Sequence, residues 1–128
     1  MDYYVARTFT ASFEDTLSRT TEALKREGFG IISDIDVSAT MQAKLGVDFR
    51  KYRILGACNP KLALEALQLE DKIGLMLPCN VIVQDKSEGL TEVAAIDPVA
   101  SMLAIDNPAL KQAAEIVRSK LKSAIDAL

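Results

Sequence analysis

Histidine and tryptophan are absent from this chain of 128 residues, and cysteine occurs only twice. Without histidine there is no Ser-His-Asp triad and no imidazole base. A zinc site built from one chain also fails, because zinc usually takes four Cys or His ligands. Only a four-thiolate site shared across a dimer, or a mixed Cys/Asp site, would supply them, and the expectation is no metal. The two cysteines, Cys58 and Cys79, do not have the Cys-x-x-Cys spacing of a redox motif. No Gly-rich phosphate loop is present. Basic residues number 15 against 18 acidic ones, interspersed, for a net charge of -3. The densest basic cluster, Arg50-Lys51-Tyr52-Arg53, is short and reads as the solvated entry to a strand. Nucleic-acid binding needs clustered cations to displace counterions, so no nucleic-acid partner is expected. No run approaches the roughly 18 apolar residues of a spanning helix, and Met1 to Val5 lacks the parts of a signal peptide. The expectations are therefore no membrane partner, a cytoplasmic location and reduced thiols.

What is present is enough for one domain, 1–128. Apolar residues make up 49% of the chain, and a chain of this length buries a core without disulfides. Asp2 to Thr10 alternates as a strand. Ser12 offers an N-cap, with Asp15 as a short capping-box partner, and Phe13, Leu17, Thr20 and Leu24 follow at helical spacing until Gly28. Gly30 to Val37 reads as a second strand, Ser38 to Leu45 as a short helix capped by Ser38 and ended by Gly46, and Tyr52 to Cys58 as a third strand. Asn59-Pro60, Asp97-Pro98 and Asn107-Pro108 each pair a capping side chain with a proline suited to the first helical turn. The helix after Pro60 carries Leu62, Leu64, Ala66, Leu67 and Leu69, too many apolar positions for one stripe, and is expected to be well buried. Gly74 to Gln84 reads as the longest strand, Asp85 to Gly89 as a turn, and Leu90 to Ile96 as the return strand. In the last helix Leu110, Ala114, Val117, Leu121, Ala124 and Leu128 form a stripe suited to packing across a sheet. The order β-α-β-α-β-α-β-β-α-α, with half-polar strands, favours an α+β fold with a mainly antiparallel sheet over a doubly wound one.

The candidate chemistry gathers at Cys58-Asn59-Pro60 and Pro78-Cys79-Asn80. Cys58 ends a strand just before a helix start, where free N–H groups and positive partial charge favour a thiolate, with Lys61 nearby. The competing reading is a small apolar residue filling a strand end. Alternation puts Cys79 on the face of Leu75, Leu77, Val81 and Val83, where a thiol is inert. Pro78 within the strand implies an edge or a bulge that would aim a side chain into a cleft. Asn59 has a structural role as a cap. Asn80 has none visible, and would either lock the bulge or hydrogen-bond a ligand. Asp34 and Asp36 could share a site as acid and base, although a solvated strand face explains them as well.

Tyr52-Arg53-Ile54-Leu55-Gly56-Ala57-Cys58-Asn59-Pro60 and Ile73-Gly74-Leu75-Met76-Leu77-Pro78-Cys79-Asn80-Val81-Ile82-Val83 together resemble the bacterial and archaeal family called domain of unknown function 302. The likeness extends from the Phe13 helix through Gly28-Phe29, Asp36-Val37 and Leu45 to Asp97-Pro98. The resemblance implies a curved antiparallel sheet against a long helix, in a TATA-binding-protein-like or helix-grip-like architecture, and a homodimer. It brings no established activity, cofactor or catalytic residue. Three expectations follow. The first is a small-molecule-binding domain whose pocket takes its polar end from Cys58, Asn59 and Asn80. The second is a thiol-based redox or sulfur-handling protein with Cys58 as nucleophile and Cys79 as resolving partner. The third is a structural homodimer module.

Overall fold

The computed structural model describes residues 2–128. The elements follow in the order β1 (Tyr4–Thr10), α1 (Phe13–Arg26), β2 (Gly30–Asp36), α2 (Val37–Leu45), β3 (Tyr52–Cys58) and α3 (Pro60–Leu69). A 3-10 turn (Asp71–Met76), β4 (Cys79–Asp85), β5 (Leu90–Ile96), α4 (Pro98–Ser101) and α5 (Pro108–Asp126) complete the chain.

Local chemistry sets most of these boundaries. Ser12 Oγ accepts the Asp15 N–H at 3.1 Å and opens α1. Gly28, at φ +87°, closes it: its N–H bonds the Lys25 carbonyl and that of Phe29 bonds the Leu24 carbonyl, the paired pattern of a left-handed helix stop. All three proline pairs work as caps. Asn59 Oδ1 accepts from Leu62, Asp97 Oδ1 from Val99, and Asn107 Oδ1 from Ala109 and Leu110. Gly46 ends α2 in the left-handed region, but the cap at its start is Asp36 rather than Ser38. Asp36 Oδ1 takes the Ala39 N–H at 3.0 Å, and the Ser38 hydroxyl turns instead to the Phe49 carbonyl.

The five strands form one antiparallel sheet in the order β1-β5-β4-β3-β2, so the domain is α+β. Only β4 and β5 are joined by a tight hairpin, through a turn in which Ser87, Glu88 and Gly89 all have positive φ. Helices α1 and α5 cover one face. Leu24, Phe29, Leu55, Val81, Val83, Val93, Leu121 and Ile125 form the main core between them and the sheet. The stripe expected on the last helix is there, with Leu110, Ala114, Leu121 and Ala124 buried. Arg7 of β1 donates to the carbonyls of Ile125, Asp126 and Leu128, a cation at the negative end of the α5 dipole. A second, smaller core of Ala66, Ile73, Met102, Leu110 and Ala114 lies where α3, the 3-10 turn and α4 meet α5.

Three further expectations are corrected. Residues 74–76 are not strand: they finish the 3-10 turn, and β4 begins only at Cys79. Its pairing with β3 runs without a shift from Ala57↔Cys79 to Tyr52↔Gln84, so there is no bulge at Pro78–Asn80. The Leu77–Pro78 peptide is cis and lies outside the strand. The irregular register belongs to β2, between Ile31 and Ser33. That bulge puts Asp34 and Asp36 on the rows of Leu55 and Arg53, in place of simple alternation. Finally, α3 is not well buried. Only Ala66 is buried, while Leu64, Leu67 and Leu69 are 57%, 43% and 42% exposed, because α3 rests on the small core by its Ala66 side; Leu62, half-buried, and Leu67 line the cavity beside it.

Candidate functional site

Between the two cores lies a cavity of about 280 Å³. The ends of β3 and β4 form one wall, with Ala57 and Cys79 contributed by the main core. Ala66, Met102, Leu110 and Ala114 of the small core form the other. Phe29, 2% exposed, closes the inner end, and Ile32, 64% exposed, stands at the rim. Antiparallel pairing explains the meeting of the two cysteine motifs. Cys79 opens β4 opposite Ala57, the neighbour of Cys58 at the end of β3, so a pairing between strands brings together two motifs far apart in sequence.

Four of the six candidate residues line this cavity: Cys58, Asn59, Pro78 and Cys79. Pro60 is exposed and serves as the first residue of α3, beside the wall rather than on it. Asn80 is not brought in. With no bulge it faces away from Cys79, exposed on the other side of the sheet, beside a shallow depression shared with Tyr4, Tyr52 and Glu92. The sequence also gave no warning of Met102, Ala113 and Val117. The small residues at 113 and 114 were the available signal, since alanines on a helix stripe leave room as readily as they permit close packing.

The two thiols differ. Both cysteines are free. Cys79 is buried, and removal of its thiol from water, reinforced by the nearby Cys58, pushes its pKa up to about 11. It is a neutral thiol at physiological pH. Cys58 is half-buried at the helix start. Asn59 Oδ1 is spent on capping α3, at 3.3 Å from the Leu62 nitrogen. Its Nδ2 lies against Gly28, only 3.0 Å from where a side-chain carbon at that position would stand.

The acidic pair on β2 has a structural explanation. Arg53 grips Asp34 with two bonds, Nε to Oδ1 at 2.8 Å and Nη2 to Oδ2 at 2.7 Å, and stands 3.8 Å from Asp36. The guanidinium holds the Asp34 carboxyl below its usual range, opposite to the raised pKa that an acid–base pair would require. Among the described residues no three metal-ligating side chains converge, and no helix is long and apolar enough to cross a membrane.

Fold and site thus define a small α+β domain with one antiparallel sheet and a thiol-bearing apolar cavity at its end. Residues 5–128 match the family described as domain of unknown function DUF302, and the chain belongs to that family. A crystal structure of an uncharacterized conserved protein DUF302 from Bacillus stearothermophilus is similar at 29% identity, with a TM-score of 0.90 over 98% of both chains. No curated protein matches the chain.

Proposed function

We propose that this protein is a small-molecule-binding domain and that its ligand is apolar and occupies the cavity between the two cores. The observation that carries this reading is the composition of the walls. They are aliphatic or aromatic apart from two thiols and one amide, and at about 280 Å³ the space approaches the lower end of ligand pockets. The space opens to solvent past Ile32 and Leu67, which are 64% and 43% exposed, so an apolar ligand entering it removes apolar wall surface from water. The test is a titration with naphthalene followed by amide NMR. Shifts confined to wall residues such as Ala66, Leu110 and Ala114 are expected, and Ala63→Trp, which fills the space from a half-buried wall position, abolishes them. Absence of any shift in the wild-type protein at the solubility limit of naphthalene sinks the reading.

The thiol-redox reading gains less support. A resolving cysteine must ionise to attack a mixed disulfide, and burial of Cys79 opposes that. We also read the two thiols as remaining reduced in a cytoplasmic setting.

A homodimer is the second reading, favoured by a specific row of side chains. Ile35, Ile54, Ile82, Ala94 and Ala6 stand opposite one another across all five strands. They lie on the sheet face away from α1 and α5, and neither core includes them. Ile35 at its edge is 49% exposed, and covering the row would remove apolar surface from water. A second copy of the chain, stacked face to face, would cover it. Sedimentation velocity is expected to give a dimer that Ile82→Asp converts to monomer. A wild-type monomer at high concentration removes this reading.

A further inference from the structure

We propose that the open face of the sheet binds a small alkylammonium ion, with the Glu92 carboxylate as its counter-charge and tyrosine rings as its walls. This site lies on the side of the sheet away from α1 and α5 and is independent of the cavity reading.

Strand register builds it. Ala94 and Ile82 are partners across β5 and β4, and they line the shallow depression on this face. Two residues along in one direction lies the row Tyr52, Gln84 and Glu92. Two residues along in the other lies the pair Tyr4 and Ile96. Side chains two apart on a strand share a face, so all of these surround one floor. Tyr3 meets Tyr4 edge to face, with ring centroids 4.9 Å apart. The depression is thus lined by all three tyrosines of the chain.

Charge decides the ligand. Gln84, 8% exposed, is held at both ends of its amide: Oε1 accepts from Arg50 Nε at 3.0 Å, and Nε2 donates to Glu92 Oε1 at 2.7 Å. That second bond fixes the Glu92 carboxylate by one oxygen. Among the described residues no donor bonds the other oxygen, and Glu92 has no ion-pair partner. Arg50 does not line the depression. Its guanidinium lies over the rings of Phe49 and Tyr52, at 4.5 and 5.4 Å from their centroids. Glu92 is therefore the one charged group at the site, and the aromatic faces around it also attract cations. An anion is repelled there, and a neutral molecule gains nothing from the carboxylate. An alkylated cation meets both attractions while its alkyl groups cover Ile82 and Ala94.

Choline and its uncharged isostere 3,3-dimethylbutan-1-ol separate charge from shape. The chain has no tryptophan, so its intrinsic fluorescence comes from the tyrosines at the site. Choline chloride is expected to change that emission saturably where equal sodium chloride does not. The isostere should bind about tenfold more weakly, since it lacks the attraction to carboxylate and rings alike. Amide NMR shifts with choline are expected at Ile82, Glu92, Ala94 and Ile96. Glu92→Gln keeps the oxygen that Gln84 bonds and removes the charge. It is expected to weaken choline about fivefold, as for one partly exposed ion pair, and to leave the isostere unchanged. The comparison of the two probes on wild-type protein does not depend on that variant folding. Equal affinity for the isostere, an unchanged choline affinity in Glu92→Gln, or shifts at Ala66, Leu110 and Ala114 instead overturns the assignment. So does the lack of any saturable response in the wild-type protein, including the case in which a second copy stacked on Ile82 and Ala94 shuts the cation out. The naphthalene titration of the cavity stands apart from all of these outcomes.

Discussion

Pro78 lies across Gly56. A side-chain carbon built on Gly56 would stand 2.7 Å from Cγ of Pro78 and would collide with Ser33 Oγ on the other side. Gly56 sits in the middle of β3, opposite Asn80, where a strand ordinarily favours a larger residue. Its value is the space that it leaves. The proline ring, which lines the cavity, folds into the gap between β2 and β4, and Cys79 follows it onto the opposite face.

Gly56→Ala is therefore expected to destabilise the protein by about 1–3 kcal/mol, the usual range for overpacking, read as a fall in the urea midpoint. The closest clash is with Ser33, so Ser33→Gly added to Gly56→Ala should recover part of the loss, a coupling that distant sites do not show. If Gly56→Ala melts like the wild-type protein, Pro78 does not hold this position.

The thiols should separate by accessibility and by pH. Iodoacetamide at neutral pH is expected to label Cys58 well before Cys79, as measured by mass spectrometry of the native protein. Alkaline pH should then weaken the fold. Cys79 ionises near pH 9.0 in the unfolded chain and at about 11 in the folded one, so between those values the folded state holds more protons and stability falls as pH rises. The full loss is about 2–3 kcal/mol, it is absent below pH 9, and Cys79→Ala should remove it. Equal labelling of both thiols would contradict the burial of Cys79.

Asp97 joins three elements. It is 4% exposed, caps α4 through the Val99 and Ala100 N–H groups, and meets Arg118 of α5 at 3.3 Å. Asp97→Ala is expected to cost about 1–2 kcal/mol, chiefly the lost cap. Asp97→Asn retains a capping oxygen and should cost less than half as much, since Arg118 is about half exposed and an ion pair with a solvated partner contributes little. Comparable losses in the two variants would shift the weight from the cap to the charge.

Much of the fold was legible because it is written in contacts between near neighbours. Ser12, Gly28, Gly46, Asn59-Pro60, Asp97-Pro98 and Asn107-Pro108 act over three or four residues, and each marks the same boundary in the structure as in the sequence. The stripe of α5 is equally local, since helical periodicity alone places Leu110, Ala114 and Leu121 on one side. The candidate site was legible in part. That Cys79 faces the core follows from its alternation with Val81 and Val83. The fate of Asn80 turned on whether a bulge existed, and β4 holds a regular register while β2 carries the irregularity.

By itself, then, the order of residues determined the caps, the stops, the helix stripe and the α+β class, because short-range hydrogen bonding and side-chain periodicity need no distant partner. Only the assembled molecule decided that residues 71–76 would wind into a 3-10 turn, that Leu64 and Leu69 of α3 would be left exposed, and that Cys58 and Cys79 would share a wall. Those outcomes depend on how strands pair and how two cores are spaced, quantities fixed by packing between segments far apart in the chain.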